Sequence, residues 1–249
     1  MEIMPKVSIN ILTKNRAQLL RKALASIDAQ TFKDFEVVLV DDGSTDETAD
    51  ILKNFKFQIS NFKIIRNEQS KGITLSRQEA LEKSAGEYMA ILDDDDEWTD
   101  KEKLFKQVKY LDEHPEAVLV GGGIKISNSK FQILKLRPQS DGKIRQTMLL
   151  RNNFFTSTVM FRREAAILAG GFTSDTDDFV EDYDLWLRLG RLGKMYNFSE
   201  VFTAYRQPQY NKERFDRFLA KQLKLIGRHK TEYPYYYFAA LLLRLRLIF

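Results

Sequence analysis

The chain has 249 residues, of which 43% are hydrophobic and 30% are charged, enough for a substantial core in one large domain or two small ones. It has no cysteine, which excludes disulfides, thiolate metal sites and cysteine nucleophiles. The net charge of +4 comes from residues 211–249, which hold nine Lys or Arg against three Asp or Glu. Because no nucleic-acid-binding motif accompanies this basic segment, we expect no nucleic acid partner. No signal segment precedes the first predicted strand, so we expect a cytoplasmic protein.

Strands and helices are predicted to alternate through the first half of the chain. Short apolar runs predict buried strands at Val7–Leu12, Phe35–Val40, Lys63–Arg66 and Glu87–Leu92. Helices are predicted at Arg16–Gln30, from a Ser44–Glu47 capping box to about Phe55, and at Gly72–Ser84. This alternation with short connections predicts a parallel α/β sheet between two layers of helices.

Four consecutive carboxylates, Asp93–Asp96, follow the last of these strands and are closed by Glu97 and Trp98. Ligands bind at the carboxyl ends of strands in open α/β sheets, and carboxylates this close repel one another unless a cation lies among them. A site with oxygen ligands alone favours Mg²⁺, Mn²⁺ or Ca²⁺. An EF-hand is excluded because Trp98 and Leu104 stand where its Gly and Glu belong. A solvated acidic loop is the alternative to a metal site.

Glycine-rich phosphate-binding motifs are absent from the sequence. No Gly-x-Gly-x-x-Gly follows the first strand, and no Gly-x-x-x-x-Gly-Lys-Ser/Thr occurs anywhere. If phosphates bind, a metal must hold them. A diphosphate bridged by Mg²⁺ or Mn²⁺ needs only one or two protein carboxylates, because phosphate oxygens and water fill the other positions.

The second half of the chain is less regular. It contains a predicted helix at about Asp100–Glu113, strands at Ala117–Gly122 and Thr156–Phe161, and a polar β-like stretch around Lys125–Leu136. Gly170 and Gly171 predict a bend. The next helix begins at Glu181 and Asp182, with a core-facing stripe at Leu185, Leu189 and Leu192. The helix dipole favours ionised carboxylates at that N-terminus, so the two acids either cap the helix or act in catalysis.

Four motifs carry a family resemblance: Val7–Ile9 leading to Thr13–Arg16, then Asp41–Asp46, then Leu92–Trp98, and last Gly170–Phe172 followed by Glu181–Asp184. In their order and spacing, across roughly residues 5–206, the chain resembles an inverting family-two glycosyltransferase with the GT-A fold. The resemblance implies a three-layer α/β/α sandwich with a mostly parallel sheet in residues 1–210. It also implies a nucleotide-binding half (1–98) and an acceptor-side half (99–210). The basic amphipathic segment beyond it predicts a helical C-terminal extension (211–249).

The resemblance further implies a nucleotide-sugar donor. Asp42, with Asp41 beside it, would receive the base, since a carboxylate accepts the ring N–H that uracil offers. Thr13 and Arg16 would line the same pocket. Arg77 would either reach the diphosphate or pair with a neighbouring glutamate, Glu79 or Glu82.

For the acidic run, the resemblance implies a Mn²⁺ or Mg²⁺ ion. Asp95, together with Asp93, would contact the metal, and Asp93 or Asp94 would contact the ribose or the sugar. The four consecutive aspartates leave this register open by one position.

On the acceptor side, the resemblance makes Asp182 the general base, with Gly171, Glu181 and Trp186 nearby. A single displacement at the anomeric carbon needs one such base and a Lewis acid on the leaving diphosphate, and it inverts the anomeric centre. Tyr205–Pro208 replaces the Gln-x-x-Arg-Trp box of processive relatives, so we expect transfer of a single sugar. The acceptor would be the hydroxyl of a glycan, a lipid-linked saccharide or a protein. A sugar nucleotidyltransferase and a non-catalytic carbohydrate-binding or scaffold protein are the alternatives.

The C-terminal segment is predicted to form two helices. Residues 211–231 form a basic amphipathic helix with an apolar side at Phe215, Phe218, Leu219, Leu223 and Ile226. The apolar run at 235–249 is too short to span a bilayer. It would therefore lie on the inner face of the membrane, pack on the domain or form a homodimer. Both histidines, His114 and His229, are predicted at the surface.

Overall fold

The structure of the chain, a computed structural model, describes residues 4–54, 61–127, 132–173, 179–207 and 211–248. Within these ranges the strands are β1 (Val7–Thr13), β2 (Phe35–Asp41), β3 (Phe62–Arg66), β4 (Tyr88–Ile91), β5 (Glu97–Trp98), β6 (Ala117–Ser127), β7 (Gln132–Lys135), β8 (Met160–Arg162) and β9 (Lys194–Ala204). The helices are α1 (Ala17–Asp28), α2 (Thr48–Asn54), α3 (Ile73–Lys83), α4 (Lys103–Glu113), α5 (Asp141–Thr147), α6 (Arg163–Leu168), α7 (Glu181–Leu189), α8 (Lys212–Arg228) and α9 (Tyr236–Ile248).

The strands form one sheet in the order β3-β2-β1-β4-β8-β6-β9-β5, with β7 paired to β6 as a hairpin. The first four strands are parallel, as their helical crossovers require. Beyond them, β8 runs antiparallel to β4 and to β6, and β9 is parallel to β6. The predicted α/β fold class is confirmed, with its parallel part in the first half of the chain.

Alternate residues of the parallel strands face two different helical layers. Val7, Ile9 and Ile11 pack in one cluster with Leu24 of α1 and Leu104 of α4. On the opposite face, apolar residues of β2 pack against α3, and those of β4 pack against α3 and α7. This alternation follows from the two-residue period of a strand. It produces the three predicted layers and leaves the carboxyl ends of β1, β2 and β4 together at one edge.

The capping box predicted at Ser44 and Glu47 is wrong. The helix begins at Thr48, and Asp46 caps it by accepting from the Thr48 backbone N–H at 3.0 Å. Ser44 instead accepts a hydrogen bond from the backbone N–H of Asn15 at 2.9 Å. The side chain of Asn15 accepts in turn from the Thr45 backbone N–H at 2.7 Å. These hydrogen bonds therefore connect the loop after β1 to the loop after β2, next to the candidate site.

Two expectations for α7 and its surroundings are corrected. Leu185 and Leu189 are fully buried as predicted, but Leu192 is 48% exposed because the helix ends at Leu189. His229, predicted at the surface, is buried, with its ring nitrogens 3.2 Å from Asp184 and 2.6 Å from Glu232. Burial alone would lower the pKa of His229, but hydrogen bonds to these two carboxylates outweigh it and raise that pKa. His229 thus joins the end of α8 to α7.

The two C-terminal helices pack on the same hydrophobic cluster as α7. Leu219, Leu225 and Ile226 of α8 and Ala239 and Leu243 of α9 are buried there. Phe215, predicted on the apolar side, is 40% exposed. Of the alternatives predicted for the apolar run at 235–249, packing on the domain is therefore observed for one side of α9. In the part of the chain that the structure describes, no helix combines the length and apolarity needed to cross a membrane.

Candidate active site

A cavity of about 420 Å³ opens at the carboxyl ends of β1, β2 and β4. It is lined by Leu12, Thr13, Lys14, Arg16, Asp42, Ser70, Gly72, Ile73, Asp93, Asp94 and Asp95, and it is called the donor cavity below after the predicted role of these residues. Five of the residues predicted to bind the nucleotide sugar therefore line one cavity: Thr13, Arg16, Asp42, Asp93 and Asp94. Asp95, which is predicted to bind the metal, lines the same cavity. Asp41 lies behind the cavity, fully buried, and accepts from the Ser44 backbone N–H at 2.9 Å.

Asp42 holds one wall of this cavity in place through hydrogen bonds to the loop between β3 and α3. Its Oδ1 accepts hydrogen bonds from the Asn67 amide, the Ser76 hydroxyl and the Lys71 backbone N–H, and its Oδ2 accepts from the Ser70 hydroxyl at 2.5 Å and the Gly72 backbone N–H. Burial alone would raise its pKa, but these donors outweigh it and lower the pKa of Asp42 to about 2. The carboxylate is thus ionised at neutral pH and shapes the loop between β3 and α3.

The four aspartates after β4 point to different partners. Asp94 and Asp95 form ion pairs with Arg16, at 2.9 and 3.1 Å, and Asp93 pairs with Arg77 at 2.9 Å. Asp96 accepts from the Ser157 hydroxyl and from the Arg206 backbone N–H. Asp94 and Asp96 are 3% and 1% exposed, so the run is not a solvated acidic loop.

Burial sets the charge of this acidic run. It raises the pKa of Asp94 to about 6, although Arg16 opposes the shift. Burial and the nearby Asp93 raise the pKa of Asp96 to about 8. Asp96, which is outside the cavity lining, joins β4 to the segments at Ser157 and Arg206.

The donor set of the acidic run fits a hard divalent cation. The Asp93 and Asp95 side chains are 33% and 24% exposed and both line the cavity. Within the described ranges, no group of three or more His, Asp or Glu side chains is gathered for a metal. Two carboxylates nevertheless suffice when a diphosphate supplies the other oxygens. Mn²⁺ and Mg²⁺ both accept such all-oxygen ligands.

Arg77 connects the donor cavity to the start of α7. Its side chain is 3% exposed and forms ion pairs with Asp93 at 2.9 Å and with Glu181 at 3.3 Å. The two glutamates predicted as alternative partners of Arg77 have other partners. Glu79 forms an ion pair with Lys71, and Glu82 accepts a hydrogen bond from Gln78. Arg77 is not part of the cavity lining, so it positions Asp93 from behind. A single buried guanidinium therefore fixes the acidic run relative to α7.

Asp182 lies at the N-terminus of α7 and is half-buried. Its carboxylate accepts hydrogen bonds from the Thr156 hydroxyl and from the Tyr183 backbone N–H. Burial raises the pKa of Asp182, while Thr156 and Arg77 oppose the shift. Asp182 also lines a second cavity of about 230 Å³. A carboxylate of raised pKa that is oriented by hydrogen bonds beside a cavity has the properties of a general base.

The neighbouring acid, Glu181, is enclosed. It is 3% exposed, and it accepts a hydrogen bond from the Phe179 backbone N–H at 3.0 Å. Burial and the adjacent Asp182 raise the pKa of Glu181 to about 7, with Arg77 opposing them. Of the two acids at the start of α7, Asp182 alone lines either of the two cavities described here.

The other two residues predicted on the acceptor side have packing roles in this structure. Trp186 is fully buried, with its ring against Phe154 and Phe161. Gly171 has a φ of +64°, and a Cβ there would meet the side chain of Gln78 at 2.2 Å. Gln78 Oε1 accepts from the Phe172 backbone N–H at 2.8 Å, so Gly171 allows the loop before α7 to approach α3.

Some residues of the site, among them Ser70, Ile73 and Thr156, have no motif of their own in the sequence. Ser70 and Ile73 line the donor cavity from the loop after β3 and the start of α3. Thr156, which orients Asp182, lies in the short 3₁₀ helix Thr156–Thr158 where the sequence predicts a strand. The order of the parallel strands could have indicated the first two, because the loop after β3 also ends at the carboxyl edge. Nothing local in the sequence indicates Thr156.

Two kinds of solved structure share this fold. The chain superposes on S. aureus TarS 1-349 in complex with UDP-GlcNAc with a TM-score of 0.72 at 20% identity, over 94% of this chain and 69% of that one. It superposes on the mannosyltransferase PcManGT from Pyrobaculum calidifontis, in complex with GDP-Man and Mn²⁺, with a TM-score of 0.72 at 18% identity, over 99% of this chain and 70% of that one. The chain spans about two thirds of the length of these solved chains.

Sequence comparison gives a family. A curated relative, the amylovoran biosynthesis glycosyltransferase AmsE of Erwinia amylovora, is 29% identical over 223 residues, which are 88% of this chain and 83% of AmsE. The model of glycosyl transferase family 2 matches residues 8–168, which hold the donor cavity and the acidic run. The fold, the cavity and this match agree, and the chain belongs to glycosyltransferase family 2.

Proposed function

We propose that the protein is a metal-dependent inverting glycosyltransferase that transfers one sugar from a uridine diphosphate sugar to an acceptor hydroxyl. The observation that carries the proposal is the buried Arg77, which pairs with Asp93 on the donor cavity and with Glu181 beside Asp182. A donor-binding carboxylate and a base are thereby kept at a fixed separation across one guanidinium. That arrangement suits a reaction in which donor and acceptor meet between two cavities.

Asp182 removes the proton from the acceptor hydroxyl in this proposal. The oxygen attacks the anomeric carbon while the bond from that carbon to the diphosphate oxygen breaks, and the proton passes to the Asp182 carboxylate. Attack from the face opposite the diphosphate inverts the anomeric centre. The hydrogen bond from Thr156 orients the carboxylate for this transfer.

A divalent cation held by Asp95 and Asp93 would supply a Lewis acid for the charge that develops on the departing diphosphate. The two carboxylates that line the cavity fit such an ion by number and by chemistry. Arg16 forms ion pairs with Asp94 and Asp95 and so offsets part of the negative charge of the acidic run. Its guanidinium also lines the donor cavity, where it can donate to phosphate oxygens.

Uridine is the proposed base because Asp42 offers an ionised carboxylate at the cavity wall. The ring N–H of uracil donates to such an acceptor. The five donors to Asp42 named above belong to the loop and to α3, and among them the Ser70 hydroxyl is a side-chain donor that also lines the cavity. Rotation of Ser70 would release Oδ2 for the base. The UDP-GlcNAc complex of TarS supports this choice of nucleotide.

Thermal unfolding with nucleotide sugars tests the donor assignment. We expect UDP-sugars with Mn²⁺ to stabilise the protein by about 2.7 kcal/mol at a ligand concentration 100 times Kd, and chelation of the metal to abolish most of the effect. Asp42→Ala should remove it as well, because the loop that the carboxylate folds forms the cavity wall. The matched control is Asp50→Ala, at an exposed position on α2. Equal stabilisation by GDP-sugars would contradict the uridine assignment.

We also propose that α9 contacts a membrane surface, where a lipid-linked acceptor for polysaccharide assembly would be found. Its buried side packs on the domain, and its other side exposes Tyr237, Phe238 and Leu241 at 86%, 56% and 54%. The exposed Arg244 adds positive charge on the same helix. The amylovoran relative supports a role in polysaccharide assembly.

Sedimentation with phospholipid vesicles tests this contact. We expect the protein to bind vesicles of phosphatidylcholine and phosphatidylglycerol, and Leu241→Glu to abolish binding because it places a charge on the apolar side of α9. Leu168→Glu, at a 73% exposed position on α6, is the control. Unchanged sedimentation of the α9 variant would contradict the proposal. A dimer that dissociates in that variant would assign the exposed side of α9 to a second subunit instead.

A further inference from the structure

Three arginines converge on the second cavity, the one lined by Asp182. Arg137 comes from the segment after β7, Arg151 from the segment after α5 and Arg246 from the last turn of α9. Asp182 is the only carboxylate among the lining residues. Three cationic residues and one anionic residue therefore line a cavity of about 230 Å³, with Arg151 and Arg246 at its exposed side. None of its lining residues belongs to the donor cavity, so this charge is not part of the donor site.

Arg137 has an unmet hydrogen-bonding capacity. The Cζ atom of its guanidinium lies over the Phe155 ring, 4.5 Å from the ring centre. Its Nε is buried, and within the described ranges it has no hydrogen-bond partner. Burial and the neighbouring Arg151 lower the pKa of Arg137. A buried donor without a partner and two cations close together are both unfavourable, and a bound anion would relieve both.

We infer that this cavity binds the phosphate or diphosphate group of the acceptor, and so presents the hydroxyl of a phosphate-bearing acceptor to Asp182. The inference rests on the proposed function, since it gives the acceptor of that reaction a chemical class. Guanidinium groups bind phosphate oxygens through paired N–H donors. Because Asp182 offsets one of the three cations, a phosphate dianion would balance the remaining two, whereas a carboxylate would leave one cation uncompensated.

The phosphate could belong to a lipid-linked saccharide or to a free sugar phosphate. Arg246 connects the cavity to α9, whose opposite side is apolar and exposed. A lipid-linked acceptor would place its phosphate among the arginines and its chain along α9. A free sugar phosphate would use the arginines alone.

Arginine side-chain NMR tests the site directly. In protein labelled with ¹⁵N-arginine and saturated with UDP and Mg²⁺, we expect phenyl phosphate and inorganic pyrophosphate to shift the Nε–Hε signals of Arg137 and Arg151. Arg137→Gln and Arg151→Gln should each weaken binding of phenyl phosphate by about 10-fold, because each removes a charge-assisted interaction. Arg21→Gln, at an exposed position on α1, is the control for non-specific binding. Arg137→Lys keeps the charge if the glutamine variant fails to fold.

The outcomes separate the two proposals. Shifts confined to other arginines, or affinities that the Arg137 and Arg151 variants leave unchanged, would overturn the phosphate site. Stabilisation by UDP-sugars is a separate measurement on the unaltered protein, and its failure would reject the donor assignment without reference to this cavity. Tighter binding of decyl phosphate than of glucose 1-phosphate would support the site and assign a lipid-linked source. Equal affinities would support the site with a free sugar phosphate.

Discussion

Replacing Asp182 with asparagine is expected to lower the rate of sugar transfer by about 10²- to 10⁴-fold while the protein still binds its nucleotide sugar. Asparagine has nearly the same shape, and its amide oxygen can still accept the hydrogen bond from Thr156. It cannot accept a proton from the acceptor hydroxyl. The donor cavity does not include this position, so UDP-sugar binding should persist.

Steady-state transfer and thermal stabilisation by the donor measure the two parts of this prediction. The unaltered enzyme should lose activity as the pH falls through the raised pKa of Asp182, above the ordinary value of 3.8, because the protonated carboxyl cannot act as a base. The asparagine variant should lack this acidic limb. Asp50→Asn on α2 is the control for loss of a carboxylate. A variant with more than about a tenth of the original kcat would assign the base to another group.

Much of the fold follows from the sequence because strand period and parallel topology are local and general rules. The apolar runs predict β1, β2, β3 and β4 to within about two residues at each end. The rule that ligands bind at the carboxyl edge then brings Asp42 and Asp93–Asp95 to one cavity. These inferences need only the identity of neighbouring residues in the chain.

What the sequence does not predict depends on contacts between distant segments. Trp186 is predicted on the acceptor side, but its ring is buried against Phe154 and Phe161 and is therefore part of the core. His229 looks like a surface histidine until Asp184, 45 residues earlier in the chain, is placed beside it. Arg77 finds its partners at Asp93 and Glu181 rather than among the glutamates of its own helix. Charge pairing across such separations is set by tertiary packing, to which local patterns are insensitive.

Replacing Arg77 with alanine is expected to reduce the free energy of unfolding by about 3–5 kcal/mol, because it leaves the acidic partners of a buried cation uncompensated. Its side chain is 3% exposed, and that of Glu181 is 4% exposed. Arg217 on α8, whose exposed pair with Glu213 spans 3.7 Å, provides the control. Alanine there should cost no more than about 1 kcal/mol. Urea unfolding of both variants makes the comparison.

The pH dependence of the Arg77→Ala variant distinguishes loss of a charge partner from loss of packing. Glu181 already has a pKa of about 7, raised above its ordinary value by burial, and removal of Arg77 should raise it further. A carboxyl whose pKa is higher in the folded state gains stability as the pH falls through that value, because the folded protein then takes up the proton. The cost of the substitution should therefore be largest at about pH 8 and become smaller toward about pH 5, where Glu181 is protonated and no longer needs a cation. If the cost were the same at both pH values, Arg77 would be acting as a packing residue and not as the electrostatic link between Asp93 and Glu181.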